Sequence, residues 1–138
     1  PILRSLFFAG NSKILEKFLQ YRTYVGCASP VPLQEAAAVA WNDQEHVAGF
    51  RKIYKKNFEI ANELLGTPIP EATFYIWLEV DDELEFTKNL YKGKNIKVLP
   101  GSFLGRNGLG KGYVRIALVE NEEKTREVLT RLKDFING

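Results

Sequence analysis

Two arginines stand alone inside apolar runs, and a lone guanidinium in such a place is a candidate for anion chemistry. Arg115 lies in GYVRIALV (112–119) and Arg4 in ILRSLFFA (2–9). Alternation along a strand puts Val114, Ile116 and Leu118 on one face and Tyr113, Arg115 and Ala117 on the other. The first face reads as core. Two readings of the second stay open. One is an exposed sheet face or a surface ion pair. The other is an anion site, since a guanidinium grips carboxylate or phosphate through two parallel hydrogen bonds. Two such arginines suit a ligand with two anionic ends.

The remaining reactive types offer less. His46 is the only histidine. It falls in the first turn of a helix, on a flank beside Glu45, and reads as a solvent-facing side chain, because a base or metal ligand needs partners at defined spacing. No metal site is expected. Cys27, in a stretch of small residues, reads as a small buried hydrophobe. Gly105, Gly110 and Lys111 match GxxxxGK, but Gly112 stands where a phosphate loop needs Ser or Thr, and the segment leads into a strand instead of a helix. It reads as a flexible connection. No Gly-x-Ser-x-Gly elbow or Ser/His/Asp set can be assembled.

These residues need elements to hold them. ILRSLFFA reads as a strand at the start of the chain. Asn11 or Ser12 caps a helix with Ile14, Leu15, Phe18 and Leu19 on one side. Ser29 is a candidate N-cap for VPLQEAAAVAW, where Pro32 suits a first turn. Asn42 and Glu45 form a capping-box pattern. Val47, Phe50, Ile53, Tyr54, Phe58, Ala61, Leu64 and Leu65 then keep helical spacing until Gly66 and Pro68, giving a helix of about 23 residues and about 35 Å. After it come a strand over 72–80, a helix capped by Asp82 and Glu85 and closed by Gly93, a short strand IKVLP, the glycine-rich connection, the Arg115 strand, and a last helix capped by Asn121. That helix buries Val128, Leu129, Leu132, Phe135 and Ile136. Residues 67–138 thus read strand–helix–strand–strand–helix, a small α/β sandwich with helices on one sheet face.

The chain has 138 residues, enough for a core, with 45% hydrophobic and 26% charged residues and a net charge of +2. That charge is small and dispersed, which argues against nucleic acid. One cysteine fits a reducing, cytoplasmic setting. No apolar run reaches the ~20 residues of a membrane helix.

The runs LRSLFFAGNSKILEKFLQYRTYVGCASPVPLQEAAAVAWND and VLPGSFLGRNGLGKGYVRIALV resemble the C-terminal portion of the pyridoxal-phosphate-dependent aminotransferases of fold type I, class I/II. The resemblance covers essentially the whole chain. Within the family the chain is most similar to the succinyldiaminopimelate aminotransferases. The resemblance implies a C-terminal fragment: residues 1–66 as the tail of the large cofactor domain with the connecting helix, and 67–138 as the small α/β domain. It implies that Arg115 binds the α-carboxylate of the substrate and that Arg4 binds the cofactor phosphate. Pro1 and Leu3 match the family's surroundings of Arg4, whereas Ile2 and Leu6 stand where the family has glycines. The Schiff-base lysine is expected upstream of Pro1, so no catalytic residue is expected in this chain and the fragment alone is expected to be inactive and not to hold pyridoxal phosphate. The full-length enzyme is implied to be a homodimer exchanging an amino group between N-succinyl-diaminopimelate and 2-oxoglutarate or glutamate. Tyr21–Ser29 resembles the part that reaches toward the partner, with Arg22 or Tyr24 toward the neighbour's substrate.

Two other readings stand beside this one. The chain is a small α/β binding or regulatory domain in which Arg115 reads an amino acid's carboxylate without catalysis. Or it is a structural domain with surface arginines. The length of the reading frame separates them from the aminotransferase.

Overall fold

The computed structural model describes residues 5–6, 8–26 and 28–138. It forms two compact units, 1–47 and 48–138. Arg4, Cys27 and residues 1–3, on which several expectations rest, lie outside the described residues.

The first unit is helical. Helix α1 (Ser12–Tyr24) starts at Asn11, whose side chain accepts the Lys13 N–H, as an N-cap does. Helix α2 (Val31–Asn42) starts at Pro30 without a side-chain cap. Ser29 therefore does not cap it; its carbonyl accepts from Gln34 Nε2 at 2.6 Å. Pro32 in the first turn loses no intrahelical bond, so the proline geometry starts the helix unaided. The described residues of 2–9 form no strand. A strand needs a ladder partner, and among the described residues every strand belongs to the second unit.

Helix α3 (Gln44–Leu65) runs 22 residues to Gly66, which takes φ +68. Asp43, rather than Asn42, caps it: Asp43 Oδ1 accepts from the backbone N–H groups of Glu45 and His46. Asn42 instead donates to the Ala38 carbonyl one turn back.

The second unit holds the sheet. Strand β1 (Tyr75–Glu79), helix α4 (Glu83–Lys94), the two-residue strand β2 (Leu99–Pro100), a 3₁₀ turn (Gly101–Phe103), strand β3 (Tyr113–Ala117) and helix α5 (Glu122–Asn137) follow in order. β3 is central and antiparallel to both neighbours, in the order β1-β3-β2. The protein is thus α/β, with five helices and a small antiparallel sheet among the described residues. The core joins Phe58, Ile60 and Ala61 of α3, Leu90 of α4, and Leu129 and Leu132 of α5 to Ile76, Val98, Val114 and Ile116 from the sheet side. Burying one such aliphatic side chain contributes about 1.5–3 kcal/mol.

Several local expectations are corrected. Gly93 lies inside α4, and Asn95 in the left-handed region at φ 53 ends the helix. A Cβ on Gly93 would make an ordinary contact with the Phe135 ring at 3.8 Å, so nothing at this position requires glycine. IKVLP pairs only at Leu99 and Pro100, and the ladder ends there as the chain turns at Gly101. Ile136 is exposed, as are Phe50 and Ile53, so the buried stripes of α5 and α3 are shorter than their apolar patterns.

Candidate functional site

The Arg115 site is built from the open face of the sheet. Antiparallel register sets Arg115 opposite Trp77 on β1 and opposite Leu99 on β2. The side chains that share its face are Tyr75, Trp77 and Glu79 of β1 and Tyr113 and Ala117 of β3. Val114 and Ile116, which alternate with it, are buried. The arginine therefore occupies the middle of the central strand while its side chain leaves the core. Its guanidinium lies over the Tyr75 ring, 4.1 Å from the centroid. A cation so placed is held by the ring's negative face, worth about 0.5–1 kcal/mol at an exposed site. Trp77 (45% exposed) and Tyr113 (38% exposed) leave an aromatic, solvent-open surface around it.

Arg115 forms no ion pair among the described residues. Other arginines here do: Arg126 grips Glu63 through two bonds of 2.8 and 2.9 Å, and Arg131 reaches Glu127 at 3.3 Å. Of the first reading, the surface ion pair is not formed among the described residues, whereas the exposed sheet face is what Arg115 occupies. A guanidinium resting on an aromatic ring and held in no ion pair among the described residues has donors to offer an incoming anion.

The entry to β3 is fixed by backbone. The connection 101–112 is not a loose tether. A Cβ on Gly101 would fall 2.1 Å from the Gly110 carbonyl oxygen, and one on Gly110 would fall 2.4 Å from the Gly101 oxygen. Gly110 and Gly112 take φ +83 and +78. The segment is a close backbone crossing that leads into a strand, not a phosphate-binding loop leading into a helix. At its end, the Gly112 N–H donates to Glu83 Oε2 at 3.0 Å, and the Gly112 carbonyl accepts from Val80 at 2.8 Å. Glu83 was not singled out from the sequence, where it reads as an ordinary acid in the first turn of a helix.

The other expected positions are scattered. His46 is exposed, and its Nδ1 lies 3.0 Å from Asp43 Oδ2. The Asp43 carboxyl is lowered chiefly by the backbone N–H of His46 and then by its side chain. No group of three metal-ligating side chains occurs among the described residues. In the first unit an open cleft of about 1340 Å³ is lined by Phe8, Phe18, Leu19, Leu33, Ala37 and Trp41, with Arg22 at its edge. Arg22 folds back on its own helix end, its Nη1 donating to the Val25 carbonyl at 3.0 Å. Tyr24 is 84% exposed.

Aminotransferases of this fold use pyridoxal phosphate. The described residues do not by themselves fit that group. An imine-forming lysine is activated by desolvation, and no described lysine is buried. The apolar cleft has no lysine in its lining.

No protein-family model matches the chain. Among curated proteins it is 33% identical over 141 residues to transaminase BacF of Bacillus subtilis, covering 94% of this chain and 35% of that protein. It is 31% identical over 140 residues to the LL-diaminopimelate aminotransferase of Natranaerobius thermophilus, covering 95% of this chain and 36% of that protein. Among solved structures, an aminotransferase from Neisseria meningitidis aligns at a TM-score of 0.82 and 41% identity over 98% of this chain and 37% of its own. AspB from Helicobacter pylori aligns at 0.84 and 36% identity over 94% of this chain and 35% of its own. The chain thus spans little more than a third of the proteins it matches.

Proposed function

We propose that this chain, which belongs by homology to the fold type I aminotransferases, gives such an enzyme its substrate-carboxylate arm, with Arg115 as the binding residue. The observation that carries this reading is Arg115 itself: a central-strand guanidinium on the open face, seated on Tyr75 and without an ion pair among the described residues. A carboxylate would accept two parallel N–H groups from it while the Tyr75 ring holds the guanidinium plane in place. The α-carboxylate is common to every amino acid and 2-oxo acid, so one arginine serves both partners of the exchange. Holding that end restricts the rotation of the substrate's reacting carbon, which is a positioning contribution.

In this reading residues 67–138 are the small domain and 1–66 the tail of a larger cofactor domain. The exposure of Leu6, Phe8, Ile14, Leu19, Val39 and Trp41 supports the second part, since so much open apolar surface is what a piece of a larger core presents. Arg4 is assigned to the cofactor phosphate. The enzyme would work as a homodimer in the cytoplasm, and Tyr24 rather than Arg22 would reach the partner, because Arg22 is engaged with its own helix end. The substrate class is an amino acid with a second, distant carboxylate, N-succinyl-diaminopimelate, exchanging with 2-oxoglutarate or glutamate. Relatives named for LL-diaminopimelate support a diaminopimelate skeleton.

The test is Arg115→Ala in the assembled enzyme. Losing two charge-assisted bonds should lower kcat/KM by about a hundredfold or more while the absorbance of the bound cofactor stays normal. Near-normal turnover would remove Arg115 from this role.

A further inference from the structure

Glu83 is the only ionisable side chain among the buried residues described, at 4% exposure. It stands in the first turn of α4, directly after the cap residue Asp82. Its side chain turns away from the helix. Oε2 accepts the Gly112 N–H at 3.0 Å. Gly112 closes the glycine connection, so one carboxylate from α4 fixes the end of the segment that leads directly into β3. The Gly112 carbonyl is bonded in turn to Val80, just past β1. Residue 112 is thus held from both sides, and Arg115 lies three positions on.

We propose that Glu83 is a positioning residue for Arg115, fixing through Gly112 where the central strand begins and hence where the guanidinium stands on the open face. This inference rests on the carboxylate-binding role of Arg115. Glycine has the freest backbone of any residue type, and Gly112 takes φ +78. Without an external acceptor, its N–H would not define a single strand start. The Glu83 carboxyl is lowered below the ordinary glutamate range, first by the Gly112 N–H, then by its own backbone N–H and the Ser102 hydroxyl, against the cost of burial. Because the folded value is the lower one, the ionised anchor is whole at neutral pH. It is lost only as pH falls through that lowered value.

The experiment uses the 138-residue chain, with 2-oxoglutarate as probe and amide and guanidinium NMR signals as readout. In the free chain the Gly112 amide should shift with an acid titration below the usual glutamate range, and Glu83→Gln should abolish that titration. Persistence of the titration in Glu83→Gln would overturn the anchor, and this variant keeps an acceptor, so it tests the idea even if Glu83→Ala fails to fold. Affinity for 2-oxoglutarate should fall about tenfold in Glu83→Ala and recover to within about threefold of the parent in Glu83→Gln. In an Arg115→Ala background, Glu83→Ala should cost nothing further, which a merely structural residue would not do. Unchanged affinity in Arg115→Ala would sink the carboxylate reading itself. Loss in Arg115→Ala with full affinity in Glu83→Ala would sink only the positioning role.

Discussion

Asn57 is fully buried on α3, and its Nδ2 donates to two carbonyls beyond β3, Leu118 at 3.0 Å and Glu120 at 2.8 Å. The strand that carries Arg115 is therefore pinned at its entry by Glu83 and at its exit by Asn57. Replacing Asn57 by Ala strips both carbonyls of a donor and opens a cavity. Each buried group left unsatisfied costs about 1–3 kcal/mol, so a stability loss in that range or above is expected from the denaturant midpoint. Asn57→Asp should lose more, because it sets an ionised oxygen against two carbonyl oxygens. If Asp were tolerated better than Ala, the donor role of Asn57 would be wrong. Neither Asn57 nor Glu83 was legible in the sequence. Periodicity marked Phe58 and Ala61 as the inner stripe of the helix, and a polar neighbour on such a helix reads as its solvent face. A partner 61 positions away leaves no trace in local pattern. That Arg115 points away from the core was legible for the opposite reason: a charge in a strand breaks the alternation that surrounds it.

At the scale of elements, the glycine connection is the part whose character changed most. Glycines suit both slack and close approach, so composition alone reads GSFLGRNGLGKG as slack. The backbone crossing of Gly101 and Gly110 decides for close approach. Two glycines in left-handed geometry then make a controlled pair. Gly108 at φ +81 has open space where a Cβ would stand, and Gly110 at φ +83 has the Gly101 oxygen 2.4 Å away. Gly108→Ala should cost about 1–2 kcal/mol, the backbone term alone. Gly110→Ala should cost distinctly more and shift the amide signals of 113–115, read by thermal unfolding and NMR. Equal losses would mean that the crossing is not as tight as it looks. The helices were easier to foresee because their signals are local: Asn11, Asp82 and Asn121 each accept a backbone N–H of the first turn. The strand expected over 72–80 spans only Tyr75–Glu79, since pairing, not composition, sets its ends. Signals that compete locally misled: Ser29 beside Pro30, Asn42 beside Asp43, and Gly93 ahead of Asn95.

The molecule as a whole is uneven. Residues 48–138 enclose a continuous core, whereas among the described residues of 1–47 only Ala37 is buried. Aminotransferase chemistry asks more of a protein than the described residues hold: a desolvated lysine, a phosphate cup and a partner for the cofactor ring. The lysines described here are exposed or half-buried, and none has the desolvated setting that activates an amine. Such amines form imines with an aldehyde weakly and without preference among themselves. The chain by itself should therefore retain no pyridoxal phosphate on dialysis. Borohydride added during incubation should mark several lysines at low occupancy, as mass spectrometry of the digested protein would reveal. The same treatment of the assembled enzyme should mark one lysine outside these residues at near-full occupancy. A single stoichiometric adduct on the chain alone would place the cofactor-binding lysine within it and overturn the division of labour proposed above, with the substrate's carboxylate held by this part and the cofactor's imine bond made by another.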